Sequence, residues 1–169
     1  RSYQGSLRGG PVQSCRYPVC VSPDTPPGPH TIQGPHTAQD GVALRVLVYS
    51  DNPHTRTRVM QALGTRPHPD LPRLSYVEVA TGPMVIEYMD AGGIDLAILD
   101  GEATPTGGMG IAKQLDDEID LRPPTLVLTG RPDDAWLAKW SRADAAVPQP
   151  IDPMELTAAV VGLLLKTLR

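Results

Sequence analysis

The sequence predicts an α/β fold, a doubly wound five-stranded parallel sheet covered by helices on both faces. Two observations carry this prediction. Five short apolar runs alternate with five stretches of helical spacing, the pattern of successive βα units around a parallel sheet. The first, third and fourth runs close on polar residues, Asp51, Asp100 and Thr129. In such a sheet the functional crevice lies at the carboxyl ends of the strands, near the switch in strand order. These three side chains are therefore expected to converge.

Residues 45–49 (RVLVY) read as the first buried strand. Asp51 or Asn52 can cap the helix that follows, with Pro53 in its first turn and Gly64 at its end. Residues 65–73 form a proline-rich loop, long for such a connection. The second strand is expected over 74–80. A helix opened by Thr81 or Gly82 then carries Val85, Ile86 and Met89 to a Gly92-Gly93 stop. Residues 94–100 (IDLAILD) read as the third strand, followed by a loop rich in Gly, Thr and Pro. Gly108 to about Ile119 reads as a helix with Met109, Ala112 and Leu115 facing inward. A fourth strand is expected over 125–129, a short helix over 133–141 and a weak fifth strand over 143–147. Asp152 caps the last helix, with Pro153 first and Glu155 third, so its start is well specified. That helix carries Met154, Leu156, Val160, Val161 and Leu163 to Leu165.

Composition separates the chain into two parts. Residues 1–41 are expected to be a disordered Pro/Gly-rich extension, and residues 42–169 a single domain. The first 40 residues hold 7 of the 19 prolines and both cysteines, with no Lys, Glu, Met or Trp. They show no periodicity and too few apolar side chains to offset the ordering of their backbone. Their charges sum to +1, which leaves −5 of the total −4 for the rest. An acidic body argues against nucleic-acid binding, which normally shows a basic face. No apolar run approaches the roughly 18–20 residues that span a bilayer, and no signal-peptide pattern is present. A cytoplasmic protein is expected. Cys15 and Cys20 read as incidental thiols, and the body has no cysteine for redox chemistry. His30 and His36 read as solvated, and His54 and His68 as exposed.

Asp100 is the focal residue. An apolar strand that delivers a carboxylate to the rim of a sheet sets charge beside a core, where it must be solvated, paired or metal-bound. Without chemistry, Asp100 would merely cap the loop or the next helix, Asp51 would be only a helix cap, and Thr129 a plain strand end.

Over residues 44–168 this pattern resembles the receiver domain of bacterial two-component response regulators, with an acid closing strand one, an aspartate closing strand three and a hydroxyl closing strand four. Asp100 lies 49 residues after Asp51. The resemblance implies the flavodoxin-like (βα)5 receiver fold with strand order 2-1-3-4-5. It implies Asp100 as phosphoacceptor, with Thr129 and Gln149 contacting the phosphoryl group. It further implies Mg²⁺ held by Asp51, Asp100 and the backbone carbonyl of Glu102, because Mg²⁺ takes hard oxygens and keeps several waters. A sensor histidine kinase or other phosphodonor would be the partner.

The sequence departs from the receiver pattern near these positions. Ser50 stands where receivers carry the first of two adjacent acids, which weakens Mg²⁺ binding. Gln149, before Pro150, stands where they carry lysine; it can hydrogen-bond a phosphoryl oxygen but cannot neutralise it. Ala146 takes the place of the aromatic switch residue, and Pro105 sits one residue late in its loop, beside Gly107-Gly108.

Two functions compete. One is an atypical single-domain response regulator in phosphorelay signal transduction, with output by contact with an unidentified target protein and no effector after the fifth helix. The other is a pseudo-receiver, an interaction module independent of phosphate. A small α/β phosphatase is a remote third: no glycine-rich phosphate loop with Lys follows strand one. An enzyme is not expected. Trp136 and Trp140, four residues apart, share one helix face. Core packing is the plainer expectation for them; a patch with the apolar last helix, serving a homodimer or another partner, is the alternative.

Overall fold

The computed structural model describes residues 42–169. The expected extension, with Cys15, Cys20, His30 and His36, lies outside the described residues. Five strands alternate with five helices: β1 Leu44–Tyr49, α1 Pro53–Leu63, β2 Leu74–Val79, α2 Gly82–Ala91, β3 Leu96–Asp100, α3 Gly108–Glu118, β4 Thr125–Thr129, α4 Ala135–Trp140, β5 Ala145–Pro148 and α5 Pro153–Thr167. All strand pairs are parallel, in the order β2-β1-β3-β4-β5. This is the predicted doubly wound sheet.

Each face of the sheet has its own core. Val46, Val48, Ile98, Leu126 and Leu128 face Val59, Leu63, Leu156, Val160 and Leu164 from α1 and α5. On the other face Leu47, Tyr49, Ala97, Leu99 and Val127 meet Val85, Met89, Ile111, Ala112 and Leu115 from α2 and α3. The central strands β3 and β4 are buried at every position, as a sheet covered on both sides requires.

The caps follow the sequence. Asn52 accepts from the His54 N–H at 2.9 Å, and Asp152 from the Met154 and Glu155 N–H groups at 2.7 and 3.3 Å. Gly64 and Gly92 end α1 and α2 at φ of 61° and 74°, a region that L side chains rarely adopt. The long loop before β2 is tied by Arg66, which donates to the Leu71 and Pro69 carbonyls at 3.2 and 2.7 Å, while Leu71 is buried.

Several expectations change. The β3 strand begins at Leu96, two residues later than expected, because Asp95 turns its carboxylate onto the Arg45 N–H at 2.7 Å. In α3 the inward residues are Ile111, Ala112 and Leu115, with Met109 only half-buried. The expected helix over 133–141 is a 3-10 turn, Pro132–Asp134, followed by the six-residue α4. The fifth strand starts at Ala145 and reaches Pro148. His54 is exposed and His68 half-buried, its Nδ1 accepting from the Asp70 N–H at 3.2 Å.

The largest correction concerns the tryptophans. Trp136 and Trp140 are 66% and 60% exposed, not packed in the core. The small Ala138 is the α4 residue that seats the helix on the sheet, leaving the large side chains outside. The apolar run of α5 likewise turns inward, with Val160, Leu163 and Leu164 buried.

Candidate functional site

The sheet register brings the candidate residues to one rim. Asp100 pairs with Leu128 on β4, Thr129 pairs with Pro148 on β5, and Tyr49 pairs with Leu99. Ser50, Asp51, Asp100, Thr129 and Gln149 therefore end neighbouring strands on the same side. Two glycines permit close backbone approaches at this rim, Gly108 between α3 and β3 and Gly101 between the end of β3 and β4. A Cβ on Gly108 would stand 2.7 Å from the Asp100 carbonyl oxygen, and one on Gly101 would stand 2.6 Å from that of Leu128. The start of α3 is thus drawn over the end of β3 by the absence of a side chain at Gly108.

Asp100 is 3% exposed. Its Oδ2 accepts from the Ser50 hydroxyl at 2.7 Å. Its Oδ1 accepts from the Gln149 side-chain amide at 3.0 Å and from the Glu102 N–H at 3.1 Å. A carboxylate is acceptor-only, and here both oxygens are supplied by neutral donors. Ser50 itself is fully buried, and its oxygen also accepts from the Asn52 N–H at 3.1 Å. The hydroxyl is thus fixed as a donor towards Asp100. Gln149 is fixed in the same manner by its backbone N–H, which donates to the Thr129 carbonyl at 2.7 Å.

Asp51 faces elsewhere. Its Oδ2 accepts from the Thr104 hydroxyl at 2.8 Å, and the hydrogen bonds from Thr104 hold its carboxyl below the usual carboxylate range. Thr104 belongs to the loop between β3 and α3. A second tie to that loop comes from the buried Tyr49, whose hydroxyl donates to the Thr106 carbonyl at 2.6 Å. Burial raises the Tyr49 pKa, and the charges of Asp51 and Asp100 raise it further. Glu102 sends its N–H to Asp100, while its carboxylate lies against Gly130 in the loop after β4, where a Cβ would collide with it. The nearby Arg56 guanidinium serves the backbone and a neighbouring strand, donating to the Ser50 carbonyl at 2.6 Å and pairing with Glu78 at 3.1 Å. Thr129 is buried, and Ala146 is half-buried on β5.

Sequence reasoning missed Tyr49, Thr104 and Thr106. The two threonines flank Pro105, and a TPT triplet before a Gly pair was the one local signal of a loop with fixed hydroxyl partners.

A response regulatory protein of Mycobacterium tuberculosis, present in two strains, is 75% identical over 122 residues, covering 72% of this chain and 92% of that relative. The chain belongs to the response regulator family. No family model matches this receiver. Among solved structures it is similar to the receiver domain of a histidine kinase from Syntrophus aciditrophicus, with a TM-score of 0.62 and 22% identity over 75% of this chain and 94% of that one. The response regulator TrrA from Thermotoga maritima, in complex with Mg²⁺ and beryllium fluoride, gives a TM-score of 0.58 and 25% identity, covering 72% and 99%. The receiver domain of a LuxO repressor protein from Vibrio parahaemolyticus gives 0.64 and 19%, covering 75% and 94%.

Proposed function

We propose that this receiver signals through contact with another protein, in the cytoplasm, and that its Asp100 site holds one arrangement without phosphate. One observation carries the reading. Ser50 and Gln149 donate to opposite oxygens of Asp100, so two of the positions at which this sequence departs from the receiver pattern, together with the Glu102 N–H, satisfy the buried carboxylate.

The donor set offers a divalent cation less charge than a pair of adjacent acids would, because Ser50 brings a neutral oxygen. The Ser50 oxygen is committed between Asp100 and the Asn52 N–H, and the Asp51 carboxylate is engaged by Thr104. Among the described residues no group of three or more acid, His or Cys side chains is spaced to hold a metal. No helix among them is long and apolar enough to cross a membrane.

A second reading keeps Asp100 as phosphoacceptor in a phosphorelay, fed by a sensor histidine kinase or another phosphodonor. It is favoured by Asp100 and Thr129 lying buried at the ends of adjacent strands. It requires Asp51 to join Asp100 and the Glu102 carbonyl around Mg²⁺, and Gln149 to turn from Asp100 to the phosphoryl oxygens. In either reading the output is contact rather than catalysis.

Intact-mass analysis after incubation with acetyl phosphate and Mg²⁺ separates the two. The first reading expects no adduct. A phosphate adduct on the wild type that is absent from Asp100→Ala would overturn it and establish phosphotransfer to Asp100.

A further inference from the structure

We propose that the groove between α2 and α3 is a docking face, and that its occupant is a basic segment of another protein with an apolar side chain beside its Lys or Arg residues. The inference rests on the reading that this receiver acts by contact, and does not depend on whether Asp100 takes phosphate.

The helices α2 and α3 cover the same face of the sheet, and both run from its carboxyl end to its amino end. Between them lies a groove of about 400 Å³, at the small end of the range for ligand clefts. Gly82, Pro83 and Ile86 line it from α2, Ile111 and Gln114 from α3, and Thr106 from the loop before α3. A Cβ on Gly82 would stand 3.3 Å from the Thr106 Cβ and 3.4 Å from the Ile111 Cδ1. The missing side chain leaves the floor open.

One helical turn beyond three of the lining residues stands an acid. Glu87 follows Pro83, Asp90 follows Ile86 and Glu118 follows Gln114, each by four residues, which sets it on the same side of its helix. All three acids are exposed. Among the described residues the Glu87 and Asp90 carboxylates have no hydrogen bond or ion pair. Glu118 is bonded only by the neutral Gln114 amide, at 3.1 and 3.2 Å. The α2 helix has no basic residue, and Lys113 of α3 is paired with Asp117. Residues 80–120 hold nine acids against that one lysine, a net charge of −8, while the other residues from 42 onward sum to +3. The groove between α1 and α5, by contrast, is lined by Arg58 and neutral residues.

This pattern selects the occupant. An acidic segment or a nucleic-acid backbone would meet like charge on both rims. A cation about one helical pitch, roughly 5 Å, from an apolar anchor would reach Asp90 and Glu118 while the anchor sits on Ile86 and Ile111. The direction is set as well, with the anchor towards Thr106 and the cations towards the amino end of the sheet. The Thr106 end joins the groove to the crevice. The Thr106 carbonyl accepts from the Tyr49 hydroxyl at 2.6 Å, and Thr104, two residues earlier, bonds Asp51 at 2.8 Å. An anchor seated on Thr106 therefore bears on the loop that holds Asp51.

A nitrogen–proton NMR titration of the full chain tests the proposal with three twelve-residue peptides, which share the same leucines and carry lysine, glutamate or glutamine between them. The lysine peptide is expected to shift the amide resonances of Ile86, Thr106, Ile111 and Gln114, and to bind less tightly as salt is raised. The other two peptides should bind about tenfold more weakly. Asp90→Lys combined with Glu118→Lys should weaken the lysine peptide by about the same factor of ten. Asp133→Lys combined with Glu155→Lys changes the net charge equally at exposed sites elsewhere, and should leave the affinity nearly unchanged. Shifts confined to another face, equal binding of the glutamate peptide or an equal loss in the control pair would each overturn the groove and leave output by contact standing. Groove resonances that move when the chain is concentrated without peptide would assign the face to a second copy and overturn the proposal too. So would the absence of any shift.

Discussion

At the carboxyl end of the sheet Asp100 is held by neutral groups, the Ser50 hydroxyl at 2.7 Å and the Gln149 amide at 3.0 Å; at the amino end Asp144 and Asp116 are held by the Arg122 guanidinium at 2.7 and 3.1 Å. Arg122 also donates to the Arg142 carbonyl at 2.8 Å, so one side chain joins α3, the start of β4 and the turn before β5. Burial pushes the Asp116 carboxyl up, but Arg122 and Arg142 outweigh it and hold it below its usual value. Burial likewise works against the charge on Arg122, and Asp144 and Asp116 more than compensate. The difference teaches where this chain uses formal charge. A rigid fork of donors closes the end that only has to stay folded. At the crevice end the side chains that bond Asp100 carry no formal charge.

The largest expected effect lies at the amino end. Arg122→Ala removes the guanidinium that joins Asp116 and Asp144, leaving Asp116 only Arg142 and Asp144 only its Thr125 partners, and should lower the urea unfolding midpoint more than Ser50→Ala, Gln149→Leu or Thr104→Val. The loss should be full at neutral pH. Because the Asp116 carboxyl is held low in the folded state, the wild type's advantage disappears as pH falls through that folded value, below about 4. A loss that persisted unchanged into acid would assign the role to packing of the Arg122 stem.

At the crevice end, Ser50→Ala and Gln149→Leu each remove one donor from a buried carboxylate. Each should lower stability by about 1 to 2 kcal/mol, less than Arg122→Ala. An unchanged urea midpoint in both would mean that the neutral donors do not hold Asp100.

Making the two ends alike sharpens the comparison. Ser50→Asp combined with Gln149→Lys gives the crevice a second acid and a cation. Mg²⁺ at about ten times its dissociation constant should then raise stability by about 1.4 kcal/mol, while the wild type should not respond. A wild-type midpoint that rose equally would show that Ser50 and Gln149 do not exclude the metal.

The smallest effect belongs to Thr104→Val. Removing the hydroxyl that bonds Asp51 should let that carboxyl rise towards its ordinary value of about 3.9, read from the pH dependence of its side-chain carbon resonance. No movement would mean that the lowering comes from the backbone alone.

The strands were legible because β3 and β4 are buried on both sides and so read as unbroken apolar runs, LAILD and TLVLT. The crevice was legible in outline because strand ends are marked by a switch from apolar to polar residues, at Asp51, Asp100 and Thr129. The partners of those residues were less so. That Asp51 would turn to Thr104, 53 positions away, depends on the path of a loop, and loop paths leave no periodic trace. Arg122 was not singled out at all, since a lone arginine before two prolines looks like any exposed turn until Asp116 and Asp144 close around it. Trp136 and Trp140 were misread for a different reason. A six-residue helix has under two turns, too few to show from spacing which face is inward.

The sequence by itself determined the alternation of strands and helices, the parallel sheet and the end at which its acids gather, because burial and capping act locally and write themselves into residue order. Only the tertiary structure decided how each acid is satisfied and which face of α4 is left open. Those outcomes turn on distances of a few ångströms between residues some fifty positions apart, such as Ser50 and Asp100 or Gln149 and Asp100. Such distances are set by how strands pair and helices pack, not by neighbours along the chain.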